Sequence, residues 1–218
     1  MNPPKDTRNS AETRANLLFH ARMVFAEHGF AGARVDEIAQ RAGVNKALIN
    51  YHFGSKARLF RAILDAFSES FIARISQAVV RGDPPDQQLR QFIRAMGSLI
   101  AEFPQLPKLL LIDGRKAFIE DLKPPAHALM ALMEMNRILQ EGHEQGLFKK
   151  LFAGWAYMHI VSSFAFFQLT LPTRQRHVGS ELPGFPIPED SVDFEKFVGF
   201  VEDQILSGFA LPAREENP

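Results

Sequence analysis

The chain has 218 residues, 46% of them hydrophobic, and its 25 basic side chains balance 25 acidic ones. That is enough apolar material to bury a sizeable core in one large domain or two small ones. The absence of cysteine excludes a disulfide framework, a thiolate zinc site and a thiol nucleophile. The neutral total hides an asymmetry. Residues 1 to 67 hold ten Lys/Arg against six Asp/Glu, whereas residues 68 to 218 hold 15 against 19. An anionic partner is therefore expected at the first third only. The opening MNPPKDTRNS is polar throughout, which predicts no signal peptide and a cytoplasmic protein.

Helical periodicity dominates the chain in order. Ser10 is the expected N-cap of a first helix, with Glu12 in its first turn. Leu17, Leu18, Ala21, Val24 and Phe25 then form one apolar stripe, and Gly29 is expected as the C′ residue with Phe30 folding back on the last turn. A short helix is predicted over Val35 to Ala42, a second over the eight residues that follow Asn45, up to Phe53, and a longer one over residues 56 to 80. Pro84 and Pro85 stop that helix, and Pro85 opens the next. Further helices read at about 85 to 103, 107 to 120, 124 to 145 and 151 to 170. The proline- and glycine-rich stretch 172 to 191 reads as a loop. Ser191 is the expected cap of a last helix at about 192 to 207, with Phe194, Phe197, Val198, Val201 and Ile205 as its stripe and Gly208 as its end. No strand periodicity is present, so the fold class is all-α.

Between Val35 and Phe53 the pattern is helix, turn, helix. Ile38 and Ala39 face inward, and the small Ala39 lets the second helix approach. Gly43 supplies the positive φ of a tight turn, Val44 fills the space beneath it, and Asn45 caps the second helix. Ile49 and Phe53 return to the core, leaving Lys46, Ala47, Asn50 and Tyr51 facing outward with His52 beside them. Such a face suits the major groove: Lys46 can donate to guanine or phosphate, Ala47 can approach a thymine methyl, and Asn50 can pair with adenine. Tyr51, His52 and Lys56 can donate to backbone oxygens.

Together with Gly29-Phe30, Ile38-Ala39, Ala42-Gly43-Val44, Tyr51-His52-Phe53, Ser55-Lys56 and Leu59, the stretch from about 12 to 67 resembles the TetR family of transcriptional regulators. The chain departs from the family pattern at four places. Arg34 stands where Ser or Thr is usual, Asn45 where Ser is frequent, Ala47 where Gly is, and Asn50 where Tyr is. The resemblance implies an N-terminal three-helix DNA-binding domain (1–67) with a helix-turn-helix. A C-terminal helical ligand-binding and dimerisation domain (68–218) follows it. DNA contacts are then expected at Arg34, Asn45, Lys46, Ala47, Asn50, Tyr51, His52 and Lys56.

The C-terminal part carries its own signals. Leu151 to Thr173 lacks any formal charge and is long enough to span a bilayer. It nonetheless contains His159, Ser162, Ser163 and Gln168, and is read as an interior or subunit-interface helix. With the 192 to 207 helix it would pair with symmetry mates in a four-helix homodimer interface, which the family resemblance also implies. Leu129, Leu132, Met133 and Leu139 suggest one apolar side of the 124 to 145 helix, with Asn136 inside that stripe. His127, Asn136, Trp155 and His159 are the expected polar handles for a small-molecule effector, each weighed against an ordinary packing role. Met130, Met133 and Met135 read as core filler. His127, His143 and His159 lack metal-site spacing, and no cofactor is expected. No Gly-rich phosphate loop or nucleophile–base pair argues for an enzyme. The sequence therefore predicts a dimeric repressor released from a palindromic operator by a small molecule. The alternatives are a DNA-binding regulator without a ligand and an all-helical enzyme.

Overall fold

The computed structural model describes residues 5–109, 126–182 and 184–211. Two compact units divide the chain. One reaches to Glu69 and also takes in the stretch beginning at Lys108, and the other comprises Ser70–Pro107 and the C-terminal helices.

The first unit holds α1 (Lys5–Gly32), α2 (Val35–Ala42), α3 (Lys46–Phe53) and the start of α4 (Lys56–Ala78). Ser10 is not a cap: α1 begins five residues earlier, because nothing between Lys5 and Ser10 opposes helix. Gly29 adopts φ 69° and ψ 174° and kinks the segment, so that Phe30 stacks on Phe25 and meets Phe60 edge-on at 5.1 Å. Leu17, Ala21, Val24 and Phe25 pack with Ile38, Ala39, Ile49, Phe53, Leu59 and Phe60 in one buried cluster. Asn16 Nδ2 donates to Ala42 O at 2.8 Å and ties α1 to the end of α2.

The second unit contains the rest of α4, then α5 (Pro85–Glu102), a short α6 (Leu106–Lys108) at the join, α7 (Ala126–Glu144), α8 (Ala153–His177) and α9 (Phe194–Phe209). Pro85 does open α5. Most of the predicted 107 to 120 helix lies outside the described residues. α5 packs on α7, α8 and α9 through buried Leu89, Phe92, Ile93, Met96 and Leu99. Two polar networks sit in this packing. Glu202 on α9 is buried and accepts from Arg90 Nη1 and Arg94 Nε, both at 2.6 Å. Buried Gln88 accepts from Arg137 at 2.7 Å and donates to Asp83 O at 2.7 Å, and Arg137 also holds Glu134 and Glu141.

Several expectations fail here. α8 runs through Pro172 to His177 instead of ending near 170. Near the proline, Thr170 Oγ1 donates to Phe166 O and Arg174 to Phe167 O, each at 2.6 Å, whereas the bond that Pro172 itself removes is the one to Gln168 O. The supposed loop holds a small antiparallel hairpin, β1 (Glu181–Leu182) with β2 (Phe185–Pro186), turning at Gly184 with φ 76°. Asp193, not Ser191, caps α9, accepting from Lys196 N at 3.0 Å, while Ser191 lies in a 3₁₀ turn (Glu189–Val192). α9 passes Gly208 and ends at Phe209. On α7 the buried face is Ala131, Met135, Ile138 and Leu139, whereas Leu129, Met130 and Met133 are exposed. Of the three methionines only Met135 is core. No described helix is long and apolar enough to cross a membrane.

Candidate nucleic-acid interface

The turn between α2 and α3 is built by three residues. Gly43 sits at φ 66°, ψ 30°, a left-handed conformation that a side chain at this position would strain. Its N–H and that of Val44 close on Gln40 O and Ala39 O at 3.1 and 3.0 Å. Asn45 then caps α3, its Oδ1 accepting from Ala47 N at 2.8 Å. α3 is thereby anchored at its start, and Ile49 and Phe53 anchor it from below.

The outward face follows. Asn45, Lys46, Ala47, Asn50 and Tyr51 are exposed, Tyr51 at 78%, and His52 is half-buried with its ring edge-on to Tyr51. Arg34 occupies the N-cap position of α2, is exposed, and makes no side-chain cap. Lys56 is more committed: its Nζ donates to Ala31 O at 3.2 Å and lies 5.0 Å from the Phe30 ring. Of the seven other predicted positions, six are exposed, Arg34 at the start of α2 and five on the outer surface of α3 and its cap, and His52 is half-buried.

Lys46 has a partner that sequence reasoning missed. Its Nζ is 2.8 Å from Asp36 Oδ1, in the first turn of α2. Ten residues separate the two, so only the angle between the helices brings them together. Behind this surface, Arg41 binds Glu27 through two hydrogen bonds of 2.8 and 2.6 Å and Glu37 through a third. Hydrogen bonding to Arg41 holds the Glu27 carboxyl below its ordinary range. Glu27, His28 and Glu37 bring ligand-type atoms together, but Arg41 already takes oxygens of both carboxylates.

The expected effector residues do not converge. His127 is buried against Phe71 of α4, and burial pushes its pKa down to about 4. Asn136 is exposed, since α7 turns its other side inward. Trp155 is 70% exposed and His159 is exposed, both on α8. A cavity of about 110 Å³ does lie between α4 and α7, walled by Phe71, Ile75, Val79, Met130 and Ala131, with Glu134 at its edge. An open groove of about 600 Å³ lies between α5 and α9 beside Arg94, Gly97 and Phe194. His127, His143 and His159 form no metal-binding group among the described residues. Trp155, His159, Ser162, Phe166 and Leu169 instead share one exposed face of α8, at alternating four- and three-residue spacing, with exposed Met158 beside them.

Residues 17–63 match the family model described as bacterial regulatory proteins, tetR family. The chain is 27% identical over 202 residues to the transcriptional repressor NicS of Pseudomonas putida, covering 90% of this chain and 92% of that one. It is 34% identical over 99 residues to the transcriptional activator FasR of Mycolicibacterium smegmatis, 45% of each chain. Among solved structures, the TetR-family regulator PfmR from Thermus thermophilus aligns with TM-score 0.67 at 25% identity, over 88% of this chain and 97% of that one. FadR from Bacillus subtilis, solved with stearoyl-CoA, aligns with TM-score 0.68 at 20% identity, over 89% and 98%. The FadR likeness concerns the fold alone.

Proposed function

The chain belongs to the TetR family of transcriptional regulators, and from that premise we propose that it is a homodimeric repressor that a small molecule releases from a palindromic operator. The observation that carries the reading is the division of α3, with Ile49 and Phe53 buried and Lys46, Ala47, Asn50 and Tyr51 exposed. In this reading α3 enters the major groove. Lys46, Ala47 and Asn50 meet base edges, while Arg34, Asn45, Tyr51 and His52 hold the phosphate backbone. Lys56 steadies the end of α1 through Ala31 and keeps further ammonium donors for phosphate.

One recognition helix reads too few base pairs for specificity, so two are needed, about 34–36 Å apart or a multiple of that. The exposed apolar face of α8, with Phe200 of α9 also exposed, supports pairing through these helices. The protein works in the cytoplasm, where the operator is, and not as an enzyme. α4 begins beside α3 and its last turns wall the 110 Å³ cavity. A ligand that prefers one position of α4 would shift operator affinity through it.

The test is binding to a duplex that the wild-type protein selects from a randomised pool. Wild type binds it as a dimer, and the Lys46→Ala/Tyr51→Ala variant loses most of that affinity. Equal binding by both proteins would overturn the contact assignment. A second reading, a regulator without a small-molecule ligand, is favoured by the placing of the four expected effector residues, of which only His127 is buried. Native mass spectrometry separates the two: a co-bound small molecule supports the first, and bare protein mass in material from every growth condition the second.

A further inference from the structure

Lys46 stands at the first position of the α3 helix with its ammonium 2.8 Å from Asp36 Oδ1, and both side chains are open to solvent, at 54% and 71%. The Asp36 carboxylate lies in the first turn of α2. It is therefore a fixed negative charge on the surface that the regulator reading presents to a polyanion. A carboxylate there repels phosphate and costs non-specific affinity. Glu37, next in sequence, is already occupied by Arg41, so its charge is not a substitute partner for Lys46.

We propose that Asp36 is a specificity-determining positioning residue that acts through Lys46. This rests on the DNA-binding reading above. Held by Asp36, the ammonium is neutralised toward the phosphate backbone and aimed along the start of α3. A generic phosphate is anionic and gains little from an ammonium whose charge the adjacent carboxylate already offsets, whereas a base edge is neutral. A guanine edge offers O6 and N7 to the same ammonium while leaving the Asp36 contact intact, because a lysine carries three donors. The pair thereby weakens binding to all duplexes and weakens it least where the base contact is made, which widens the ratio of specific to non-specific binding.

The experiment measures affinity against salt for wild type, Asp36→Asn, Asp36→Glu, Lys46→Met and the Asp36→Asn/Lys46→Met double variant. The probes are the pool-selected duplex and a scrambled duplex of equal length. Asp36→Asn frees one lysine per subunit for phosphate, so its slope of log affinity on log salt for the scrambled duplex steepens by about 2 per dimer, at roughly 0.9 per phosphate. Scrambled-duplex affinity rises at least fivefold and the selected-to-scrambled ratio falls by a similar factor. Asp36→Glu restores the wild-type slope. In the Lys46→Met background the added Asp36→Asn change leaves the slope unaltered, which a carboxylate repelling phosphate independently would not do. An unchanged slope and ratio in Asp36→Asn, with selected-duplex binding intact, overturns this proposal alone. A wild-type chain that selects no duplex overturns the regulator reading and this one with it.

Discussion

Phe166→Ala tests the proposed subunit interface. Phe166 is 69% exposed in the single chain, on the α8 face that also carries Trp155 and Leu169. An aromatic side chain buries about 150–250 Å² when covered, so this ring leaves on the order of 100–170 Å² for a partner. At about 25 cal/mol per Å² that area corresponds to ~2.5–4 kcal/mol. Ordering costs and the methyl that alanine keeps reduce this to ~2 kcal/mol per ring. Two-fold symmetry removes two rings at once, so the dimer should weaken by ~4 kcal/mol, roughly a thousandfold in dissociation constant. Sedimentation equilibrium reads that constant directly. Trp155, the single tryptophan, gives a second reading: its emission should shift to the red on dilution, at higher concentration in the variant than in wild type. Helical circular dichroism should be unchanged, because Phe166 is not part of the protomer's own core. A wild-type dissociation constant in Phe166→Ala, with Trp155 emitting as exposed indole at every concentration, would refute the reasoning.

Three further outcomes concern the protomer. Burial alone would raise the Glu202 carboxyl pKa, but hydrogen bonds from Arg94 and Arg90 outweigh it and hold it below the ordinary range. Glu202→Ala should therefore lower stability in urea unfolding by ~3 kcal/mol, the low end for a broken buried pair, since both arginines reach solvent. His127 is buried neutral, with a pKa of about 4 against about 6.5 unfolded. Between those values the unfolded chain binds the extra proton. Its contribution is therefore fully present above pH ~6.5 and falls by about 2 kcal/mol between pH 7 and pH 5, a slope that His127→Phe should flatten. A Cβ on Gly142 would come 2.1 Å from Cδ2 of buried Phe148. Gly142→Ala should cost ~2 kcal/mol despite its better helix propensity, whereas Gly208→Ala, which meets nothing, should gain up to ~1 kcal/mol. Thermal unfolding of the two variants should move in opposite directions.

What the sequence determined by itself lies within a few residues of each signal. Gly43, Asn45 and the four-residue spacing of Ile49 and Phe53 act locally, so the turn, the cap and the outward face of α3 were legible. The same holds for Pro85 at the start of α5. On α7, leucine and methionine occur on both sides, and periodicity could not say which side faces α5 and α8. Packing chose Ala131, Met135 and Ile138, which put Asn136 in solvent. Pro172 looked like a stop because it removes one ladder bond locally, yet α8 carries on through it to His177, since the rest of a 25-residue helix outweighs one missing bond. Glu202 meets arginines more than a hundred positions away, and Lys46 meets Asp36 across a turn. Only the tertiary structure decided those pairs, because an ion pair depends on distance in space, which spacing along the chain does not encode.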